Sequence, residues 1–437
     1  MASEAPEVVP TTAPAAPPAE TAVETPAAPV EEKAAPVAGS KTVLILGASY
    51  AGVSCAHYFL KHVLPTLPNK ESYTVKLVAP SSKFYARPGT PRAIASHKLM
   101  PVDKMFHDIA AGFKSYPAEQ FKFVQAEATE MDEKARTVVI SANGEKETIH
   151  YAGLIIATGT RTVSPVMGLM GDAKLTEDAQ KQFQDALPNA KTIVLSGGGP
   201  AAVEAAGELA SAVNGSAKIT IITSDSKLLP NLRPAIAAKA DALLKKMGVE
   251  IIYNTKVESA APESAGITNI TEKAVLNLSN GETREADLYL PAHGVKPNTD
   301  FMPTHLLNEK GLVLANAKSL RVDEAGQGVF TVGDVSSVPR WGIMDIYTSV
   351  PIVMSNLKRD LAAEGEKPTG ADREWKANLK ETQLVCIGPK AGTGAIFGIK
   401  LPGFAVKMIK GKDYFTSRAP SIVDGSHWAK ESKWNGA

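Results

Sequence analysis

Apolar runs that lead through a glycine turn into a helix occur twice in this chain of 437 residues. The first is Thr42-Val-Leu-Ile-Leu-Gly-Ala-Ser-Tyr-Ala-Gly52, and the second is Lys191-Thr-Ile-Val-Leu-Ser-Gly-Gly-Gly-Pro-Ala-Ala-Val-Glu204. Each is followed by another apolar strand, at residues 73–78 and 218–222. One such turn is common, but two in the same order indicate a repeated βαβ unit and hence two nucleotide-binding domains.

The other elements follow from the same alternation of apolar runs and polar turns. Further strands are predicted near residues 121–125, 137–141, 154–159, 249, 275, 287–294 and 328–334, and helices at 51–63, 235–247 and 343–364. A polar connection that contains Pro and Gly spans residues 363–374. Beyond it, the pattern predicts strands at 383–387 and 394–399 and a helix at 404–409.

Both glycine turns carry residues that suit the phosphates of a dinucleotide. In the second turn Gly197 permits a tight reversal, Gly199 lets the backbone approach a pyrophosphate, and Pro200 follows in the helix. The helix N-terminus adds free N–H groups and a positive dipole end. The first turn offers the run Gly47, Ala48, Ser49, Tyr50, Ala51 and Gly52, in which Ser49 replaces the usual middle glycine.

Composition separates the N-terminus from the rest of the chain. Residues 1–40 hold eight Pro and twelve Ala, six Glu and one Lys, which predicts a disordered tail. The remainder carries a net charge of +6, too little to indicate nucleic-acid binding. The eight His show no metal-binding spacing, so no metal site is expected. We find no transit peptide, signal core or apolar run long enough to span a bilayer, and expect a cytoplasmic protein.

Two further turns complete an ordered set of motifs, Leu154-Ile-Ile-Ala-Thr-Gly159 and Gly328-Val-Phe-Thr-Val-Gly-Asp334. With the two glycine turns, this order resembles the pyridine nucleotide-disulfide oxidoreductase superfamily of two-dinucleotide-domain flavoproteins over about residues 41–365. The resemblance implies that the first glycine turn holds FAD and the second holds NADH or NADPH. It also implies that Thr158 and Gly159 border the cofactor and that Asp334 meets the ribityl and phosphate region of the flavin.

The resemblance also implies the fold class and domain order. We expect an α/β protein with two Rossmann-like three-layer dinucleotide-binding domains, the NAD(P) domain inserted in the FAD domain, and a small α+β C-terminal domain. The expected boundaries are residues 1–40 for the tail, 41–165 and 291–365 for the two parts of the FAD domain, 166–290 for the NAD(P)H domain and 366–437 for the C-terminal domain.

Within the superfamily, the C-terminal segment Lys407-Met-Ile-Lys-Gly-Lys-Asp-Tyr-Phe-Thr-Ser417 is similar to the apoptosis-inducing-factor-like branch that includes ferroptosis suppressor proteins. The segment from Phe84-Tyr85 to Arg92-Ala93 fits the same branch. This likeness implies that Arg92 contacts FAD, that the backbone near Gln125 faces the adenine, and that Lys410 and Phe415 lie near a quinone-type acceptor.

The roles of three further side chains have a plain alternative. Glu204 faces the nicotinamide from its helix or is a solvated helix residue. Lys410 is a cation or proton donor for the reduced quinone, or a surface lysine in the run Lys407, Lys410 and Lys412. Trp341 lines the acceptor side of the flavin or packs in the core.

The two cysteines, Cys55 and Cys386, form no CxxC or CxxxxC pair, so the acceptor is expected to meet the flavin directly. This favours a quinone, a small oxidant or oxygen as the acceptor. Together with the resemblance, it predicts an FAD-dependent NAD(P)H oxidoreductase that passes electrons to a quinone-type acceptor without a redox disulfide. The alternative is a signalling or binding flavoprotein like apoptosis-inducing factor, in which turnover is incidental.

Two questions stay open on the sequence. The second βαβ unit ends in Thr223-Ser224 without an acid, and Lys227 lies nearby, so both nicotinamides are possible. The run at residues 401–409, flanked by lysines, either packs against the protein body or makes a peripheral membrane contact through the C-terminal domain.

Overall fold

The computed structural model describes residues 41–338 and 342–432, together with Met1. The tail predicted over residues 1–40 and the candidate acceptor-side residue Trp341 lie outside the described part of the chain.

A parallel sheet with helices begins the described chain. Its first elements are β1 Lys41–Leu46, α1 Tyr50–Tyr58, β2 Tyr73–Ala79, β3 Lys83–Tyr85, α2 Thr90–Ala93, β4 Phe106–Asp108, α3 Ile109–Gly112 and β5 Phe121–Gln125. Strand β1 pairs in parallel with β2, and β2 pairs in parallel with β5. Strand β1 is an almost unbroken apolar run because its inner residues, Val43 to Leu46, are buried on both faces of the sheet.

Three antiparallel strands follow before the chain returns to this sheet. They are β6 Glu127–Asp132, β7 Thr137–Ala142 and β8 Glu145–His150, and they lead to β9 Gly153–Ile156 and β10 Thr160–Arg161. Strand β9 lies parallel beside β1. The sequence pattern predicted β7 alone of the antiparallel three, because β6 and β8 are rich in charged residues and mostly exposed.

A second parallel sheet is built from the next segment. Its elements are α4 Ala173–Ala186, β11 Thr192–Ser196, α5 Pro200–Val213, β12 Lys218–Ile222, α6 Pro234–Lys246, β13 Glu250–Ile252, β14 Val257–Ala261, β15 Ala274–Leu278, β16 Thr283–Ala286 and β17 Leu288–Pro291. The parallel strands lie in the order β13-β12-β11-β17, and β14, β15 and β16 form a separate antiparallel sheet.

The chain then closes the first sheet. Strand β18 Lys296–Pro297 pairs with β10, and β19 Val329–Thr331 joins the first sheet beside β9, before the long helix α7 Ile343–Ala362. The first sheet therefore has the order β19-β9-β1-β2-β5. Since the second parallel sheet is formed by chain between β9 and β19, the predicted insertion of one Rossmann-like unit within the other is confirmed.

The last described elements contribute a small mixed unit. They are β20 Gln383–Ile387, β21 Ala391–Ile396, β22 Ile399–Lys400, α8 Gly403–Val406, a π-helical turn Lys407–Gly411 and α9 Ala419–Val423. The three strands are antiparallel neighbours. The helix predicted at 404–409 is present as one α-helical turn that widens into the π-helical turn.

Candidate functional site

A cleft of about 1810 Å³ collects residues from both parallel sheets and from the C-terminal unit. Open α/β sheets bind ligands beyond the carboxyl ends of their strands, and the cleft lies at those ends. Its lining includes Leu46 to Ala51 after β1, Ala157 to Thr162 after β9, Pro291 to His293 after β17, and Gly333 with Asp334 after β19.

The first glycine turn has the tight geometry that a dinucleotide cradle needs. Gly47 has φ of +99°, and a Cβ there would lie 2.3 Å from the carbonyl oxygen of Ala157. A Cβ at Gly52 would lie 1.7 Å from the oxygen of Gly47, so no larger residue lets α1 approach β1 this closely. Ser49 is the N-cap of α1 but makes no side-chain cap bond. The start of α1 lines the cleft and is not capped by the Ser49 side chain, so its N–H groups are available to a phosphate, and these residues fit FAD.

The side chain of Tyr50 packs beside this cradle. Its ring meets Phe84 edge-on with centroids 4.8 Å apart. The hydroxyl is buried and has no hydrogen-bond partner among the described residues. Ala48 and Ala51 line the cleft with Tyr50, and their small side chains leave the helix N-terminus open to it.

The turn after β9 is held in place by Asn298. The Thr158 hydroxyl donates to the Asn298 carbonyl at 2.8 Å, and the Asn298 side-chain amide donates to the Thr158 carbonyl at 2.8 Å. Gly159 adopts φ of +63°. Both residues line the cleft, as the resemblance implies for the cofactor border.

Asp334 and Arg87 form the charged part of the same wall. Burial raises the pKa of the Asp334 carboxyl, and the positive charge of Arg87 opposes this rise. The Arg87 guanidinium donates to the carbonyl and the hydroxyl of Thr160 at 3.2 and 3.3 Å. Arg87 was missed in the sequence analysis, because nothing in the spacing distinguishes it from Arg92.

Arg92, which the resemblance implies contacts FAD, lies in an internal ion pair. Its guanidinium is buried and pairs with Glu208 at 2.8 Å, and Nη1 donates to the carbonyl of Gly411 at 2.7 Å. Arg92 is not among the residues that line the cleft. The Arg92 guanidinium is therefore engaged by the buried Glu208 carboxylate, and its contact with FAD stays a prediction.

Gln125 stands at the end of β5 and is not among the residues that line the cleft. The amide donates to the Pro80 carbonyl at 3.1 Å and to the Asp172 carboxylate at 2.9 Å. The next residues, Ala126 and Glu127, line the cleft instead. The adenine contact of the backbone near Gln125 stays a prediction.

The second glycine turn shows a similar strained geometry. Gly197 has φ of +127°, and a Cβ there would lie 2.7 Å from the carbonyl oxygen of Ala292. Gly199 is the N-cap of α5, with Pro200 as the first helical residue. A Cβ at Gly199 meets no atom within 4 Å, so the space beside its backbone is open to a ligand. Pro200 and Glu204 line the large cleft, whereas Gly197 and Gly199 are not among its lining residues. These residues fit a nicotinamide dinucleotide.

Lys227, whose position near the end of the second βαβ unit makes NADPH as possible as NADH, contacts its own loop. Its ammonium donates to the carbonyls of Pro230 and Leu232 at 2.7 and 2.6 Å. The Thr223 hydroxyl at the end of β12 lies 3.4 Å from the Asp225 carboxylate. The Lys227 ammonium is therefore engaged by carbonyls of its own loop, and the first acid after the strand, Asp225, stands three residues beyond Ile222.

Glu204 and Lys410 form a buried ion pair in the wall of the cleft. Lys410 Nζ lies 2.5 Å from Glu204 Oε1, and Nζ also donates to the Leu384 carbonyl at 3.0 Å. The Cys386 backbone N–H donates to the same carboxylate oxygen at 2.8 Å. Burial raises the pKa of Glu204, and the charge of Lys410 opposes that rise. Both plain alternatives, a solvated glutamate and a surface lysine, are wrong.

The C-terminal unit gives this part of the cleft an apolar wall. Phe415, in a left-handed conformation with φ of 63°, lines the cleft, and the Arg418 guanidinium lies 5.3 Å from its ring centroid. Ile396, Phe397 and Ile409 continue the wall, and Met344 of α7 faces it. The sequence analysis missed Ile396, Phe397 and Ile409, which look like ordinary strand and helix residues in the pattern.

Neither cysteine takes part in the cleft. Cys55 on α1 and Cys386 on β20 are buried free thiols that belong to different hydrophobic clusters. Burial raises the pKa of Cys386 to about 12 and raises that of Cys55 as well. Both stay protonated near neutral pH and cannot act as thiolates. Across the described residues, no cluster of three or more His, Cys, Asp or Glu could hold a metal ion.

Comparison with known proteins agrees with this geometry. The family model described as pyridine nucleotide-disulphide oxidoreductase matches residues 41–352. Oxidoreductase phnG of Penicillium herquei is 42% identical over 416 residues, which cover 91% of this chain and 100% of that protein. Oxidoreductase ptaL of Pestalotiopsis fici is 36% identical over 88% of this chain and 99% of its own length.

More distant relatives confirm the branch and the fold. Ferroptosis suppressor protein 1 of Xenopus tropicalis is 25% identical over 69% of this chain and 78% of its own length. The sulfide:quinone oxidoreductase structure from Aquifex aeolicus superposes with a TM-score of 0.66 at 18% identity, covering 88% of this chain and 93% of that one. The chain therefore belongs to the pyridine nucleotide-disulphide oxidoreductase family and is an oxidoreductase that uses FAD with NAD(P)H.

Proposed function

We propose that this protein oxidises NAD(P)H and reduces a quinone-type acceptor without a redox disulfide. The observation that carries the proposal is the Lys410–Glu204 ion pair, which lies in the wall of the cleft next to apolar side chains of the C-terminal unit. A flat, apolar acceptor with carbonyl oxygens suits that combination of an apolar wall and a fixed cation. The cysteines, protonated and outside the lining, offer no relay to a disulfide substrate.

The cofactor-holding residues are assigned by the fit of each glycine turn. The turn from Gly47 to Gly52, together with Arg87 and Asp334, would hold FAD, and Gly197 to Pro200 would hold the nicotinamide dinucleotide. When bound, FAD supplies the two-electron chemistry that links hydride removal from the nicotinamide to reduction of an acceptor.

Lys410 is proposed as the proton donor. Reduction of a quinone to a quinol consumes two electrons and two protons, whereas a hydride carries two electrons and one proton. The ammonium of Lys410 would supply the other proton to the acceptor oxygen, and solvent would restore it. The Lys410 side chain is mostly buried and paired with Glu204, so its ammonium is held in one position.

Glu204 would position and balance that ammonium. Its carboxylate is held by the Cys386 backbone N–H, which fixes the oxygen that Lys410 meets. Glu204 also lies one turn into α5, the helix whose N-terminus carries the second glycine turn. We infer that the pair stands between the nicotinamide side and the acceptor side of the cleft.

The test is anaerobic stopped-flow spectroscopy of the FAD-loaded protein. We expect NADH or NADPH to bleach the yellow flavin and a short-chain quinone to restore the colour. Lys410→Met should slow the quinone step by about 100-fold or more, the range for loss of a general acid, while Lys407→Met, an exposed neighbour, leaves it unchanged. If the flavin is bleached but no quinone reoxidises it, the proposed quinone-type acceptor is refuted. If neither nicotinamide bleaches the flavin, the proposed oxidation of NAD(P)H by this protein is refuted.

A further inference from the structure

The C-terminal unit exposes a concentration of large apolar side chains. We define the C-terminal apolar patch as the residues Phe397, Ile399, Phe404, Met408 and Ile409. Phe404 and Met408 are each 67% exposed, and Ile399 is 68% exposed. Large apolar groups gathered on one surface are uncommon in soluble proteins unless something covers them.

Local structure explains why these side chains point outward. Gly398, with φ of 83°, forms the tip between β21 and β22 and presents its neighbours Phe397 and Ile399. Phe404 and Met408 are four residues apart across α8 and the π-helical turn, so they occupy nearly the same face. The other face of this segment is anchored in the core through the buried Val406.

The segment that carries the patch is rich in lysine. Residues 376–412 contain seven Lys and one Glu; of these lysines Lys410 is paired with Glu204, and Asp413 follows the segment directly. The one glutamate of the segment, Glu381, is paired with Arg233 at 2.5 Å. Lys407 and Lys412 are exposed, and neither forms an ion pair with any described acidic residue. A second copy of this chain would bring lysines against lysines in a two-fold contact, so charge favours a negatively charged covering surface.

The patch is continuous with the mouth of the cleft. Phe397 and Ile409 belong both to the patch and to the cleft lining. Whatever covers the patch therefore also borders the entrance through which an apolar acceptor would pass. No helix in the described ranges is long and apolar enough to cross a membrane, so a lipid contact here would be peripheral.

We propose that the C-terminal apolar patch docks onto the surface of an anionic lipid bilayer. Phe404 and Met408 enter the interface between headgroups and acyl chains, and Lys407 and Lys412 contact anionic headgroups, as in other apolar-and-basic interfacial segments. Docking turns the cleft mouth toward the membrane. This goes beyond the proposed function, because binding to lipid requires no turnover and no particular acceptor.

The test is co-sedimentation of the full FAD-loaded chain with vesicles. We expect binding to phosphatidylcholine vesicles that contain phosphatidylserine, weaker binding to pure phosphatidylcholine, and release by salt. Phe404→Ser with Met408→Ser should raise the lipid concentration needed for half-binding by about tenfold or more. Lys407→Gln with Lys412→Gln should raise it by about fivefold for each lysine.

A matched control separates the patch from general surface hydrophobicity. Val275 and Leu314 are also exposed apolar residues, and Val275→Ser with Leu314→Ser should leave vesicle binding unchanged. All variants should keep their flavin spectrum and their reduction by NADH or NADPH, since none of the changed residues lines the cleft. Equal vesicle binding by the Phe404/Met408 variant and the original would overturn the proposal. So would a concentration-dependent dimer that this variant abolishes while neither protein binds vesicles.

Discussion

Glu204 and Glu208 stand one turn apart on α5, and each neutralises a cation from another part of the chain. Lys410 comes from the C-terminal unit, and Arg92 comes from α2. The Tyr414 hydroxyl also donates to Glu208 at 3.0 Å, and Arg92 lies over the Tyr414 ring at 4.7 Å from its centroid. The carbonyl of Gly411, next to Lys410, accepts from Arg92. Arg92 thus steadies the backbone that carries the proposed proton donor.

Removing Arg92 is expected to weaken the fold rather than FAD binding. Arg92→Met leaves the buried Glu208 carboxylate without its cation, which should lower the free energy of unfolding by about 3–5 kcal/mol. Arg87→Met is the matched control, because Arg87 lines the cleft. It should weaken FAD binding with little loss of stability. Denaturant titration and FAD fluorescence titration measure the two effects, and a reversed pattern would restore Arg92 to the cofactor site.

Helix α1 is held in place by residues that are distant from it in the sequence. Its His57 is fully buried, with Nε2 2.8 Å from the Val423 carbonyl of α9 and Nδ1 2.9 Å from the Tyr116 hydroxyl. The imidazole stacks on Phe113 with centroids 3.9 Å apart. A Cβ at Gly425 would lie 2.4 Å from the ring, so the C-terminal segment closes tightly over it. The ring joins the first dinucleotide helix to the end of the described chain.

This contact predicts a loss of stability in acid. Burial lowers the pKa of His57 from 6.5 to about 4. The unfolded chain therefore binds a proton more readily than the folded one, so the contribution is intact above pH 6.5 and is lost as the pH falls toward 4. The loss should reach about 3 kcal/mol. Denaturant unfolding at several pH values measures it.

The comparison variant for that experiment is His57→Phe. It should be less stable than the original near neutral pH, because the Tyr116 hydroxyl and the Val423 carbonyl lose their partner. Its stability should nevertheless fall less between pH 6.5 and 4, since this position no longer titrates. Parallel pH profiles for the two proteins would show that another group is responsible, such as His107, whose pKa burial also lowers.

At the scale of the whole molecule, the cleft connects the two parallel sheets with the C-terminal unit. Both parallel sheets, α7 and the C-terminal unit contribute lining residues. A ligand that fills this cleft and binds the folded state alone stabilises all of these parts together. The inserted Rossmann-like unit and the C-terminal unit are further joined by the Lys410–Glu204 and Arg233–Glu381 ion pairs.

FAD removal should therefore destabilise the protein as one unit. Free FAD at 100 times its Kd should add about 2.7 kcal/mol to the free energy of unfolding. Scanning calorimetry of the apo and FAD-loaded forms should show a single transition that moves to higher temperature with FAD. Two transitions, of which one is insensitive to FAD, would contradict the cooperative arrangement.

Local pattern accounts for most of the elements that were predicted correctly. The strand, glycine turn and helix of each βαβ unit depend on neighbouring residues, and the long helix predicted at 343–364 is found at Ile343–Ala362. Helix α4 was not predicted, because its exposed face is polar and it contains no long apolar run. Its start is fixed by Asp172, whose carboxylate accepts from the Lys174 N–H.

The sequence by itself determined the two dinucleotide cradles, their order and the lack of a cysteine pair. Each of these features depends only on neighbouring residues or on the spacing between residues along the chain. Tertiary structure decided which charges meet. Arg92 pairs with a glutamate 116 positions away, and Lys410 with one 206 positions away. A buried charge is stable only beside an opposite charge, and the folding of the chain decides which opposite charge comes close to it. The partners of Arg87, Arg92, Glu204 and Lys410 were thus set by packing.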